Sequence, residues 1–222
     1  MTASTHPPIA PDALHVDAIL FDLLTALLDS WTLWNHAAGS AAEGRRWRQR
    51  YLEITYAAGH YRPYDALVHE SARSAGLPAS VADTLLDTWD TLAPWPEVPA
   101  VLASLRGRVP LGVVTNCSNA LAARAVARLG IPVDVVVAAE RAGAYKPDPR
   151  PYRLALAELA LPPERVLFVA GSPYDIPGAG GVGMPVVWHN RLQLVRPDGV
   201  GPARAEIATL EALPALVGTI VG

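Results

Sequence analysis

The chain has 222 residues, 51% of them apolar and 18% charged, with a formal net charge of -3 and a single cysteine. That composition excludes an intrinsically disordered chain and offers no basic run for nucleic acid or an anionic membrane. It also rules out an intrachain disulfide and a cysteine-built zinc site, so the expected setting is a reducing cytoplasm and the expected partner a small molecule.

In chain order, residues 1–15 form a Thr-, Pro- and Ala-rich stretch without a basic n-region and read as a disordered, frayed tail. No apolar run approaches the roughly 20 residues needed to span a bilayer. Residues 16–29 are an apolar run expected to be a fully buried parallel strand, with Asp22 where the run should leave the sheet. A carboxylate there is either satisfied by backbone N–H groups or kept for chemistry. Over residues 31–93 helical periodicity takes over at 45–56, 64–75 and 81–92, broken at Gly59, at Arg62-Pro63 and at Gly76-Leu77-Pro78. This segment is expected to be an all-helical insert. An α/β rhythm returns from Pro94: helix 98–105, strand 111–115, helix 119–129, strand 133–137, helix 151–160, strand 165–170, a short helix 176–182, strand 185–188 and a closing helix 210–217. Such alternation predicts right-handed crossovers and a doubly wound parallel sheet, built from residues 16–30 and 94–222.

Polar residues gather at the predicted strand ends: Asp22, Thr115-Asn116, Lys146 in the Pro-stiffened loop 143–149, and Ser172 to Asp175. Taken singly each has a plainer role, as a helix cap or a solvated lysine. A doubly wound fold, however, brings these ends into one crevice. Cys117 has no basic partner near it in sequence and reads as a packing residue. The histidines lack metal-ligand spacing, and His189 reads as structural. Trp31, Trp34 and Trp47 fit either an apolar pocket or the core of the insert. The glycine run 178–183 fits close helix packing better than a phosphate loop.

Phe21-Asp22-Leu23-Leu24, Val114-Thr115-Asn116, Lys146-Pro147-Asp148-Pro149-Arg150-Pro151-Tyr152 and Gly171-Ser172-Pro173-Tyr174-Asp175-Ile176-Pro177-Gly178-Ala179 resemble, in that order, the four motifs of the haloacid dehalogenase (HAD) superfamily. Trp47 to Glu53 and Trp188 to Arg191 look like segments of its L-2-haloacid dehalogenase branch. The resemblance implies a Rossmann-like core with an all-helical cap inserted after the first strand, and Asp22 as a covalent nucleophile. In that branch the carboxylate displaces halide from C2 of a small carboxylate substrate, and water then hydrolyses the ester at the aspartyl carbonyl. Lys146 would orient Asp22, while Thr115 and Asn116 would contact the substrate carboxylate or the nucleophile loop. Asp175, supported by Ser172, would activate water, and Tyr152 would stand near the site. Neither metal nor cofactor is implied, and because cap faces in such folds often pair, a homodimer stays open.

The departures bear on the activity. HAD phosphatases carry a second Asp two residues after the nucleophile, where this chain has Leu24, which would line the substrate site instead. Their magnesium-holding acid corresponds to Gly171. Phosphoryl transfer depends on metal and positioned cations, so these losses argue against it. The dehalogenase branch usually has Tyr at the Leu24 position and Gly-Thr where this chain has Thr25-Ala26, so a hydroxyl near the nucleophile is absent or displaced. Its halide-receiving arginine is expected ahead of Trp47, in residues 39–44, and Arg45 and Arg46 lie nearest, about one helical turn out of register. Two alternatives therefore stand beside dehalogenation: a magnesium-dependent phosphatase with an atypical site, and a non-catalytic binder of small acids.

Overall fold

The computed structural model describes residues 14–217. Strand β1 (Ala18–Asp22) is buried throughout. Its side chains alternate between two apolar clusters, Ile19 and Phe21 in one and Ala18 and Leu20 in the other, as a strand covered on both faces must. The strand is shorter than its apolar run. After Asp22 the chain enters a single buried π turn, Leu23–Leu27, because the Asp22 carboxylate accepts the N–H groups of Thr25 and Ala26. The turn is as apolar as the strand, so hydropathy alone does not mark the boundary.

The helices α1 (Ser30–Ala37), α2 (Ala41–Ala57), α3 (Tyr64–Ser74) and α4 (Ser80–Asp87) follow, with a 3-10 turn at Trp89–Thr91. Then come α5 (Val98–Leu105), β2 (Leu111–Thr115), α6 (Asn119–Ala127), β3 (Val135–Ala138), α7 (Ala139–Ala142), α8 (Pro149–Leu159), β4 (Val166–Ala170), α9 (Asp175–Gly181), β5 (Val186–His189), β6 (Ala205–Ile207) and α10 (Leu213–Leu216). All strand pairs are parallel and the sheet order is β3-β2-β1-β4-β5-β6. The expected doubly wound sheet is therefore present, and the strand order reverses beside β1, where such folds place ligands.

Several local expectations differ. Helix α1, capped by the Asp29 side chain on Thr32 N–H, was not anticipated. Helix α2 starts at Ala41 because Ser40 caps Glu43 N–H. The helix expected over 81–92 ends at Asp87 and continues as the 3-10 turn. The edge strand β6 was not foreseen, and the closing helix divides into a 3-10 turn at Leu210–Ala212 and α10. Of the tail expected at 1–15, residues 1–13 lie outside the described residues, as do 218–222. Leu14 donates its N–H to Leu216 O at 2.8 Å and bridges to Val217.

Helices α1–α4 sit over the carboxyl ends of the strands and have an aromatic core of their own. Trp34 packs 4.5 Å from Trp47 and 5.3 Å from Tyr51, Tyr51 packs 5.6 Å from Tyr64, and Tyr64 packs 5.7 Å from Trp89, centroid to centroid. Trp47 is wholly buried, its indole N–H donating to Ser71 Oγ at 2.9 Å, and belongs to this core. The helical layer is tied to the sheet layer at several points. Tyr51 Oη donates to Asn116 O (3.0 Å), Tyr145 Oη to Arg62 O (2.7 Å), Tyr61 N–H to Gly143 O (2.8 Å) and Trp89 Nε1 to Leu121 O (3.0 Å). No helix among the described residues is long and apolar enough to cross a membrane.

Candidate active site

Asp22 ends β1 with its carboxylate inside a cradle. Oδ2 accepts from Thr25 N at 2.8 Å, Thr25 Oγ1 at 2.5 Å and Ala26 N at 3.2 Å. Oδ1 accepts from Lys146 Nζ at 2.8 Å. The hydroxyl expected to be absent or displaced at Thr25-Ala26 is displaced, and Thr25 supplies it. Its position is made possible by Gly171, where a Cβ would meet Thr25 Oγ1 at 2.2 Å and Ala26 N at 2.4 Å.

Lys146 comes from the loop between α7 and α8. The side chain of Asn116, just beyond β2, fixes that loop from both sides: Oδ1 accepts Lys146 N–H at 2.7 Å and Nδ2 donates to Lys146 O at 3.0 Å. The Lys146 ammonium also meets Asp175 Oδ1 at 3.0 Å and Oδ2 at 3.2 Å. Tyr152 Oη, on α8, donates to Asp175 Oδ1 at 2.8 Å. One ammonium therefore serves two buried carboxylates with unequal surroundings. Burial raises the Asp22 carboxyl, but the Lys146 charge and the hydrogen bonds from Lys146 and Thr25 overcome it, leaving the group below its ordinary value. For Asp175 burial prevails, the Asp22 charge adds to it, and the net shift is upward despite Lys146. Burial works against the charge of Lys146, and the two carboxylates outweigh it, so the lysine stays protonated.

A cavity of about 50 Å³ opens on these groups. Of the expected residues, Asp22, Leu24, Asn116, Lys146, Ser172 and Asp175 line it. Tyr152 reaches it only through Asp175. Thr115, expected to touch substrate or the nucleophile loop, is fully buried outside the lining with its hydroxyl 3.7 Å from Cys117 Sγ. Burial pushes the Cys117 thiol up to about 12, which leaves it an unreactive packing residue.

The cation on the opposite wall is Arg48, on α2. Its Nη1 donates to Ser30 Oγ at 2.9 Å, and its guanidinium lies 4.2 Å from the Trp31 ring centroid and 5.8 Å from that of Trp34. Neither nearer-register candidate reaches this cavity. Arg46 pairs with Glu43 at the surface, and Arg45 lines only a neighbouring hollow of about 260 Å³. Helical spacing carried the signal, since Arg48, Tyr51 and Leu52 share one face of α2 and all three line the cavity. Arg48, Leu52 and Tyr56 border both spaces, and Tyr56 packs 5.0 Å from Tyr174 across the boundary.

Chemically the arrangement offers an ionised nucleophile with one oxygen held by Lys146 alone, a three-donor cradle for its other oxygen, a second carboxylate of higher basicity and a facing cation. Among known proteins, the family model described as haloacid dehalogenase-like hydrolase matches residues 16–183. The chain is 31% identical over 208 residues to (S)-2-haloacid dehalogenase H-109 of Pseudomonas putida, covering 85% of this chain and 92% of that protein. It is 30% identical over 219 residues to (S)-2-haloacid dehalogenase 1 of Pseudomonas sp. strain CBS-3, covering 91% and 96%. Among solved structures it resembles the L-2-haloacid dehalogenase RSc1362 with a TM-score of 0.81 and 25% identity, over 91% of this chain and 98% of that one.

Proposed function

The chain belongs to the haloacid dehalogenase-like hydrolases, and from that membership we propose that it hydrolyses a small 2-haloacid through an ester on Asp22. The observation that carries the reading is the unequal pair of carboxylates on Lys146, Asp22 held ionised and Asp175 held more basic, facing Arg48 across the cavity they line.

In the first half, Asp22 Oδ1 attacks C2, an Oδ1–C2 bond forms and the carbon–halogen bond breaks. The halide leaves with the bonding pair toward Arg48, while Ser172 receives the substrate carboxylate. Halide is a good leaving group, so the acid that phosphatases use at the position of Leu24 has no task here. In the second half, water attacks Cγ of Asp22, its proton passes to Asp175, and negative charge develops on Oδ2 within the cradle of Thr25 and Ala26. Collapse breaks the Cγ–Oδ1 bond. The alkoxide takes the proton from Asp175, and a 2-hydroxy acid leaves. The regenerated Asp22 carboxyl then releases its proton, which accounts for the acid formed with halide. Asn116 acts as a positioning residue for Lys146, and Tyr152 as one for Asp175.

The phosphatase alternative is not favoured. An acid at position 171 would require a Cβ inside the Thr25 side chain. For the non-catalytic alternative, the retained Lys146 and Asp175 around Asp22 have no evident use. We assign residues 31–93 to the cap, action to the cytoplasm and assembly to a homodimer, the last tested by light scattering. The central test measures halide released from racemic 2-chloropropionate and fluoroacetate in the presence of chelator. Release that persists with chelator and vanishes in Asp22→Asn is expected; no release from either acid defeats the reading.

A further inference from the structure

The turn that donates to Asp22 is held from behind by two side chains that the proposed chemistry does not use. A single π turn leaves carbonyls without partners at its end. Here Trp95 Nε1 donates to Thr25 O at 3.1 Å, and His189 Nδ1 lies 2.9 Å from Ala26 O. A carbonyl only accepts, so Nδ1 carries the proton. The peptide joining Thr25 and Ala26 therefore accepts from Trp95 at its oxygen and donates to Asp22 Oδ2 at its nitrogen, while His189 fixes the next peptide in line.

Both side chains are themselves braced. His189 ends β5 and is 1% exposed. Its Nε2 has no hydrogen-bond partner among the described residues and stands 3.8 Å from Glu97 Oε1. Glu97 Oε1 accepts from Arg191 Nη1 at 2.6 Å and from Thr209 Oγ1 and Leu210 N at 3.3 Å each, and the Arg191 guanidinium lies 4.6 Å from the Trp95 ring centroid. A buried imidazole that gives its Nδ1 proton to the carbonyl of the nucleophile turn is placed for that bond.

We propose that Trp95 and His189 are positioning residues for the hydrolytic half of the reaction. They hold the Thr25–Ala26 peptide so that its N–H meets the oxyanion formed on Asp22 Oδ2 when water adds to Cγ. This rests on the dehalogenase reading above. Alkylation places no new charge on Oδ2, whereas water addition does, so loosening the turn slows the second half selectively.

The test is rapid quench with 2-chloropropionate, following halide and, by intact-protein mass, the Asp22 ester. It compares wild type with His189→Leu, His189→Asn and Trp95→Phe, each shown to be folded by circular dichroism. In His189→Leu and Trp95→Phe the first-turnover halide rate should stay within about threefold of wild type, kcat should fall about tenfold, and the ester should become the main enzyme form. His189→Asn, which returns an N–H near the Nδ1 position, should recover most of kcat and lose the accumulated ester. If His189→Leu fails to fold, Trp95→Phe carries the same expectation. Wild-type halide release with no ester build-up in the folded variants overturns the proposal alone. No wild-type release overturns the dehalogenase reading, and this proposal with it.

Discussion

Asp22 and Asp175 are the same functional group moved in opposite directions around one ammonium, and this separation has a kinetic consequence. As pH falls, Asp175 protonates first because its value is raised, while Asp22 stays ionised because its value is lowered. Between the two values Asp22 still attacks but the base for hydrolysis is lost. Acid quench of enzyme turning over 2-chloropropionate should therefore show more ester as the pH is lowered from neutrality, and an ester level independent of pH would sink the assignment. Arg48 supports a second expectation. Arg48→Ala removes the cavity's facing cation and should lower kcat/KM by about 10²–10³-fold, with Arg48→Lys recovering only part, because an ammonium cannot reproduce the stacking on Trp31 or the bond to Ser30. Steady-state kinetics on soluble variants decide it. The sequence displayed Arg48 within a recognisable segment, yet the expected position fell at residues 39–44, with Arg45 and Arg46 nearest and about one helical turn out of register. What distinguishes them is the face of α2 that meets the nucleophile, which appears only once the helices are packed.

Between elements, the contact of the π turn with the β4–α9 loop decides what chemistry fits. Gly171 gives up its side-chain space to Thr25, so Gly171→Ala must push the Thr25 hydroxyl and the Ala26 N–H off Asp22. Overpacking of this kind destabilises by about 1–3 kcal/mol. The variant should lose that much in denaturant unfolding and, unlike a remote substitution of equal cost, should also lose most of its activity. The strands β1, β2, β4 and β5 and the helices α3, α5 and α8 were readable to within a few residues, because their hydrophobic periods are regular. The π turn was hidden because it is as apolar as the strand before it. Helix α1 was not legible, and β6 was hidden by lying at an edge with only Ile207 buried. Of the site, strand-end logic located Asp22, Asn116, Lys146 and Asp175. Thr115 lies outside the cavity lining, and the place of Thr25 depends on space left by Gly171, a residue far away in sequence.

Across the whole molecule, the ties from Tyr51, Tyr61 and Tyr145 join the helical layer to the loops that carry Asn116 and Lys146, and Trp89 ties it to α6. They predict that hydrogen exchange in α2 and in residues 59–62 stays nearly the same when product is added, whereas a layer that opens on a hinge would gain protection on binding. The double variant Tyr51→Phe/Tyr145→Phe, which cuts two of these ties, should exchange faster in those segments. A further consequence concerns how such an enzyme can be selective. With the roof fastened, the reaction chamber is a vessel of fixed volume, and no closing motion rewards a well-matched acid. Discrimination among substrates then resembles sieving, with a sharp fall in rate at one added carbon or a larger halogen, and the heat-capacity change on binding should be little more than that of burying the ligand itself.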